Sequence, residues 1–185
     1  MIFAAKHNRW LLQSSAAVLV GMVLSGCPFR VESGSAGSNF GPGPVGGDAL
    51  VVSGDSPEDA LDFVFTVEGD LILTDITAPL VSTSTLQAVQ GDLIVRNNPE
   101  LSSLTFRNLT FVGGDIRIED NARLQNVTLN ALEQARGSVV VDDNPVLTFI
   151  RIDGARELGG LSVNSPEMNA LSFPQLETVD GDVFI

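Results

Sequence analysis

The sequence predicts an all-β chain, a parallel β-helix wound in coils of 22–23 residues and preceded by a disordered tether. Three observations predict it. A glycine recurs at Gly69, Gly91, Gly114, Gly137, Gly159 and Gly181, at spacings of 22, 23, 23, 22 and 22 residues. A fixed period of that length marks a solenoid in which each repeat is one coil stacked on the last. Each glycine also opens an aliphatic phrase of strand character, such as Gly91-Asp-Leu-Ile-Val or Gly137-Ser-Val-Val-Val. Ahead of the repeats lies a stretch dominated by Gly, Ser and Pro, with too few side chains to repay the entropy of ordering.

Residues 1–26 read as a lipoprotein signal peptide. Lys6 and Arg9 give a positive start, and Leu11 to Leu24 is a mostly apolar run too short to span a bilayer comfortably. The run ends in Leu24-Ser25-Gly26-Cys27, which resembles a bacterial lipobox. That resemblance implies cleavage before Cys27, a lipid on its sulfur and its new amino group, and a membrane anchor that does not span. Pro28 follows the cysteine where an inner-membrane retention signal would have Asp, so the outer membrane or cell surface of a bacterium is favoured. Residues 27–47 are expected to be the lipidated cysteine and a flexible linker. Residues 48–68 read as an N-terminal cap or a degenerate first coil. Within them Ser56 and Pro57 are placed to start a short helix, and Phe63-Val-Phe-Thr-Val reads as a strand.

From Gly69 the repeat assigns faces, because side chains alternate across a strand. The inward set is Leu71/Leu73, Leu93/Val95, Ile116/Ile118, Val139/Val141, Leu161/Val163 and Val183/Ile185, all aliphatic. A second strand per coil is expected at Leu104–Phe106, Val127–Leu129, Ile150–Ile152 and Leu171–Phe173, with Thr105, Thr128, Arg151 and Ser172 outward. Two further apolar positions close each coil, as Leu109 and Val112 do in the second. Between the strands, Asn97-Asn-Pro, Asp120-Asn-Ala and Asp143-Asn-Pro are turn sequences. Asn98, Asn121 and Asn144 share one position and are expected to stack as a ladder. The coil that opens at Gly159 is one residue shorter there and has Ser165 in roughly that place. The chain stops at Ile185, so the last coil is expected to be incomplete.

The pattern Gly-Asp-h-x-h-x-x-Asn-Pro-x-Leu-x-x-h-x-h-x-x-Leu-x-x-Val-x, with h apolar, is best seen in residues 91–113. It resembles the receptor L domain, the leucine-rich-repeat-like, right-handed β-helix of insulin-receptor and epidermal-growth-factor-receptor ectodomains. It is equally similar to related repeats of fungal cell-wall and bacterial surface proteins. The resemblance covers about Val67 to Ile185 and implies a right-handed, L-domain-like solenoid over residues 69–185. The cysteines and the Cys-rich module of the receptors are lacking, so receptor-type hormone binding is not implied.

Composition excludes several chemistries. Two of the 10 Lys and Arg lie in the leader, so the mature chain would carry 8 against 23 carboxylates, a formal charge of −15. That balance argues against nucleic acid, which needs a basic footprint. His7 is the one His, and no Lys follows Lys6, so the mature chain has neither a histidine base nor a lysine nucleophile. No cofactor and no metal are expected. Asp70, Asp92, Asp115 and Asp182 lack the ligand density of calcium-binding repeats and read as turn residues. Glu119-Asp120 and Asp142-Asp143 are similar to the paired carboxylates of β-helical polysaccharide-cleaving enzymes, but they sit where strands end and Asp is common. Asn108-Leu-Thr and Asn126-Val-Thr match the glycosylation sequon and are expected to stay bare in a bacterial lipoprotein.

One row departs from simple alternation. The outward positions of the first sheet are Ile72, Ile94, Arg117, Val140, Ser162 and Phe184, four of the six apolar. A contiguous apolar stripe marks an interaction surface, unless residues 48–66 cover it. Arg96, Glu119 and Asp142 would rim it. The sequence thus reads as a membrane-anchored cell-surface lipoprotein carrying a repeat scaffold for protein or glycan binding or adhesion, and not as an enzyme. The alternative is a structural envelope protein or a truncated, non-functional fragment. A carbohydrate-active β-helix stands third.

Overall fold

A computed structural model describes residues 30–33, 43–45, 49–54 and 57–185. Cys27, the signal peptide and Ser56 lie outside the described residues. The chain winds as a parallel β-solenoid whose turns have three faces. The front face carries strands Ala49–Gly54, Asp70–Ile76, Leu93–Arg96, Ile116–Glu119, the ends of Gln134–Asp142 and Glu157–Asn164, and Val183–Phe184. The second face is a separate 5-stranded sheet of Leu80–Thr83, Ser103–Phe106, Asn126–Thr128, Phe149–Arg151 and Ala170–Ser172. The third face is built from Val64–Val67, Ala88–Val89, Phe111–Val112, the starts of Gln134–Asp142 and Glu157–Asn164, and Thr178–Val179. Two strands run through the corner between third and front faces, which joins those faces into one 13-stranded sheet.

Beyond the strand read at Phe63-Val-Phe-Thr-Val, the third face is a finding that sequence periodicity did not give. Most of its strands are short, and the two-residue ones at Ala88–Val89 and Phe111–Val112 bury one side chain each, Val89 and Val112. One buried residue leaves no alternation to read.

The core is the inside of the triangle. Leu71, Leu73, Leu93, Val95, Ile116, Ile118, Val139, Val141, Leu161 and Val163 all point into it and are buried. Leu104, Phe106, Val127, Leu129, Ile150 and Ile152 enter from the second face, and Leu101, Leu124 and Leu147 from the turns. Val183 and Ile185 continue the inward series but are exposed, because among the described residues nothing stacks on the last rung.

Residues 49–67 form a first turn. Ala49–Gly54 pairs in parallel with Asp70–Ile76, setting Leu50 against Leu71 and Val51 against Ile72. A one-turn helix, Pro57–Leu61, replaces the second-face strand. Pro57 at its first position costs no hydrogen bond, and Leu61 is fully buried. The hydroxyl of Thr85 donates to the Leu61 carbonyl at 2.6 Å and satisfies one orphan group at the helix end. Two segments of the stretch read as a tether pair with this turn. Arg30–Ser33 lies antiparallel to Ala49–Gly54, and Gly43–Val45 lies parallel to Val64–Val67. The rest of that stretch lies outside the described residues.

Candidate binding face

Two hydrogen-bond ladders hold the front sheet in register. The first explains the glycine. Asp70 Oδ1 accepts from the backbone N–H of Asp92 at 2.8 Å, Asp92 Oδ1 from Asp115 at 2.8 Å, and Asp115 Oδ1 from Ser138 at 2.9 Å. Each carboxylate lies where a Cβ on the next coil's glycine would stand: Asp70 against Gly91, Asp92 against Gly114, Asp115 against Gly137. The Gly-Asp phrase is therefore one device shared between coils. The reading of these aspartates as residues of their own turns is corrected, since their side chains bond backbone a full coil away.

The second ladder is made by Asn98, Asn121 and Asn144, all with no exposed surface. Asn98 Nδ2 donates to Asn121 Oδ1 at 2.9 Å, and Asn121 Nδ2 to Asn144 Oδ1 at 3.1 Å. The same oxygens accept the backbone N–H of Asn98 at 3.2 Å and of Asn121 at 3.1 Å. Remaining amide protons reach Leu73 O, Val95 O and Ile118 O. The residue before each asparagine, Asn97, Asp120 or Asp143, has φ between 50° and 56°. Asn and Asp tolerate that left-handed conformation best among residues with a side chain. In the coil that opens at Gly159 this residue is missing, and Ser165 ends the ladder with a buried hydroxyl that has no partner among the described residues.

The ladders fix three outward columns on the front sheet, with rungs ~4.8 Å apart. The middle column is Val51, Ile72, Ile94, Arg117, Val140, Ser162 and Phe184, paired in register from end to end. Arg117 and Phe184 are exposed and the others half-buried. Residues 49–54 and 57–66 do not cover this row; they belong to the first turn and add Val51 to it. Beside it runs Thr74, Arg96, Glu119, Asp142 and Asn164, in which Arg96 faces Glu119 and Asn164 donates to Asp142 at 2.7 Å. On the other flank Arg117 pairs with Asp115 at 2.7 Å. The same Asp142 oxygen also accepts the backbone N–H of Asp143 at 3.0 Å, so one oxygen of the densest acidic cluster is engaged in its own turn and in a cross-coil bond. Among the described residues no three of His, Cys, Asp and Glu converge as metal ligands. An open groove of about 630 Å³, lined by Asn130, Ala131, Glu133, Gln134 and Arg156, lies on the corner of the second and third faces, away from this sheet.

The Ser138 N–H holds the Asp115 carboxyl below its ordinary value of 3.8; partial burial opposes this and Arg117 adds to it. A carboxyl whose folded value is depressed stabilises the fold above the unfolded value and loses that contribution as pH falls through the folded one. Asp115→Asn keeps an acceptor for Ser138 and does not titrate. Urea unfolding of this variant should therefore lose less stability than wild type on going from about pH 5 to about pH 2. An acid limb of unchanged steepness would refute the assignment.

Stacked turns that present one broad, half-apolar sheet form a binding-type repeat scaffold. The family model described as receptor L domain matches residues 65–160, just over half of the chain, and the protein belongs to this family. The match spans the ladder asparagines and the row from Ile72 to Val140. No match was found among curated proteins or among solved structures.

Proposed function

We propose that the protein is a bacterial surface lipoprotein, anchored through lipid on Cys27, whose front sheet docks a protein or glycan partner in adhesion. The observation that carries the binding part is the middle column. It is a row in which Val51, Ile72, Ile94, Val140 and Phe184 are apolar, interrupted by Arg117 and Ser162, held in register on the outside of a sheet whose inside already forms the core. A β-solenoid needs apolar residues inward, and the second face meets the same need with Ser82, Thr105, Thr128, Arg151 and Ser172 outward. Strand propensity favours β-branched residues on either face, but the polar second face shows that the fold does not require Ile72, Ile94 and Val140 to be apolar. Arg96, Glu119 and Asp142 supply a polar rim of both signs, the arrangement that sets orientation in a docked complex. The reading of binding rather than catalysis is supported by membership of the receptor L domain family.

One experiment tests both parts. Cells displaying the wild type should adhere to the partner surface. Ile94→Glu with Val140→Glu should abolish adhesion with native circular dichroism, and Cys27→Ala should release the protein from the membrane fraction. Undiminished adhesion by the double variant would defeat the docking face, and unchanged fractionation of Cys27→Ala would defeat the anchor.

A further inference from the structure

We infer that the N-terminal end of the solenoid rests on the lipid surface, with Phe63 and Phe65 set into the interface and the front sheet rising away from it. This rests on the anchoring proposed for Cys27. Two independent observations lead to it.

The first is a chain length. Arg30–Ser33 is a strand bound to the first rung, with Arg30 opposite Ser53 and Ser33 opposite Leu50. Only Pro28 and Phe29 separate Cys27 from Arg30. Three residue steps reach at most ~10–11 Å. A lipid on Cys27 therefore holds the first rung within about the depth of a headgroup layer, and residues 34–47 add nothing to the spacing because they follow the bound strand.

The second is a set of side chains at the same end. Phe63 is 71% exposed, Leu80 48% and Phe65 38%, all within the first two turns. Phe63 sits in the two-residue link after the helix, where a polar turn residue would cost nothing. Among the described residues the other large exposed apolar side chains are Val146, on a turn far along the axis, and the last three of the chain. Aromatic residues gain most at a membrane–water interface. The neighbouring Asp62 and Glu68 are exposed carboxylates, so the contact is apolar and suits a zwitterionic surface. In this pose the middle column runs along the solenoid axis and away from the bilayer. Six rungs at ~4.8 Å place Phe184 about 29 Å above Val51, with the whole front sheet open to the side.

The leader carries the chain's one Trp, Trp10, so the mature lipoprotein has none and accepts a single reporter. The lipidated protein is reconstituted into phosphatidylethanolamine–phosphatidylcholine vesicles containing brominated acyl chains, as Phe63→Trp or Val146→Trp. The expected result is a blue-shifted emission quenched at least about two-fold for Phe63→Trp, and neither change for Val146→Trp. Vesicle-bound protein with equal, unquenched emission at both positions overturns the seated pose and leaves the anchor standing. Wild-type protein that fails to float with the vesicles, as Cys27→Ala should, overturns the anchor and the pose together.

Discussion

Asn121→Leu is expected to destabilise the fold by on the order of 3–6 kcal/mol, since each buried polar group left without a partner costs about 1–3. The substitution keeps the volume and removes a junction. The backbone N–H of Asn98 and one proton of its amide lose their acceptor, while Val95 O and Glu119 O lose a donor. Except at the part-buried Glu119 O, these bonds are buried, so water cannot replace them. Set against a domain stability of roughly 5–15 kcal/mol, the loss brings the chain close to unfolding at ambient temperature. Asn121→Asp is the informative companion. It retains an acceptor for Asn98 but turns a carboxylate oxygen toward Val95 O and Glu119 O, and should be nearly as harmful. Glu100→Ala removes an exposed ion pair with Arg123 and should change stability by less than about 1 kcal/mol. Urea denaturation of the three variants checks the order. An Asn121→Leu protein within about 1 kcal/mol of wild type would show that the ladder adds nothing net.

The second large effect is a coupling. Gly114→Ala should cost about 3 kcal/mol, from overpacking and from expelling the Asp92 carboxylate that bonds Asp115. The backbone at Gly114 needs no left-handed φ, so the cost is one of space and not of conformation. Asp92→Ala alone should cost about 1.5–3 kcal/mol, the worth of a hydrogen bond to a charged group. The double variant should cost about 1–2 kcal/mol less than the sum, because the added methyl then enters the room that the carboxylate has left. Recovery stays incomplete, since the same Cβ also stands 3.0 Å from the carbonyl carbon of Gly91. Strict additivity in a double-mutant cycle would show that glycine and aspartate serve separate ends.

These two sites differ in how far the sequence disclosed them. Asn98, Asn121 and Asn144 recur at one coil position between strands, and an amide that can both donate and accept is the natural side chain for a stack. The aspartates recur just as regularly, yet recurrence does not say whether a carboxylate turns to its own turn or to the next coil. That depends on the space a neighbouring glycine leaves open, which exists only once coils are stacked. The front row was legible in its chemistry because strand alternation separates Ile94 from Leu93 and Val95. Its accessibility was not, because residues 48–66 could have formed a cover or a rung. Val51 pairing with Ile72 made them a rung.

The sequence by itself determined the solenoid, its period, its inward set and the strands of two faces. Those follow from a glycine clock and from alternation, both local properties of the chain. Tertiary structure alone decided the third face, the destination of the aspartate carboxylates, the strand that caps the first rung and the end of the molecule where Phe63 and Phe65 are exposed. Each of these is set by contacts between residues one coil or more apart, and such contacts come into being only when the coils stack.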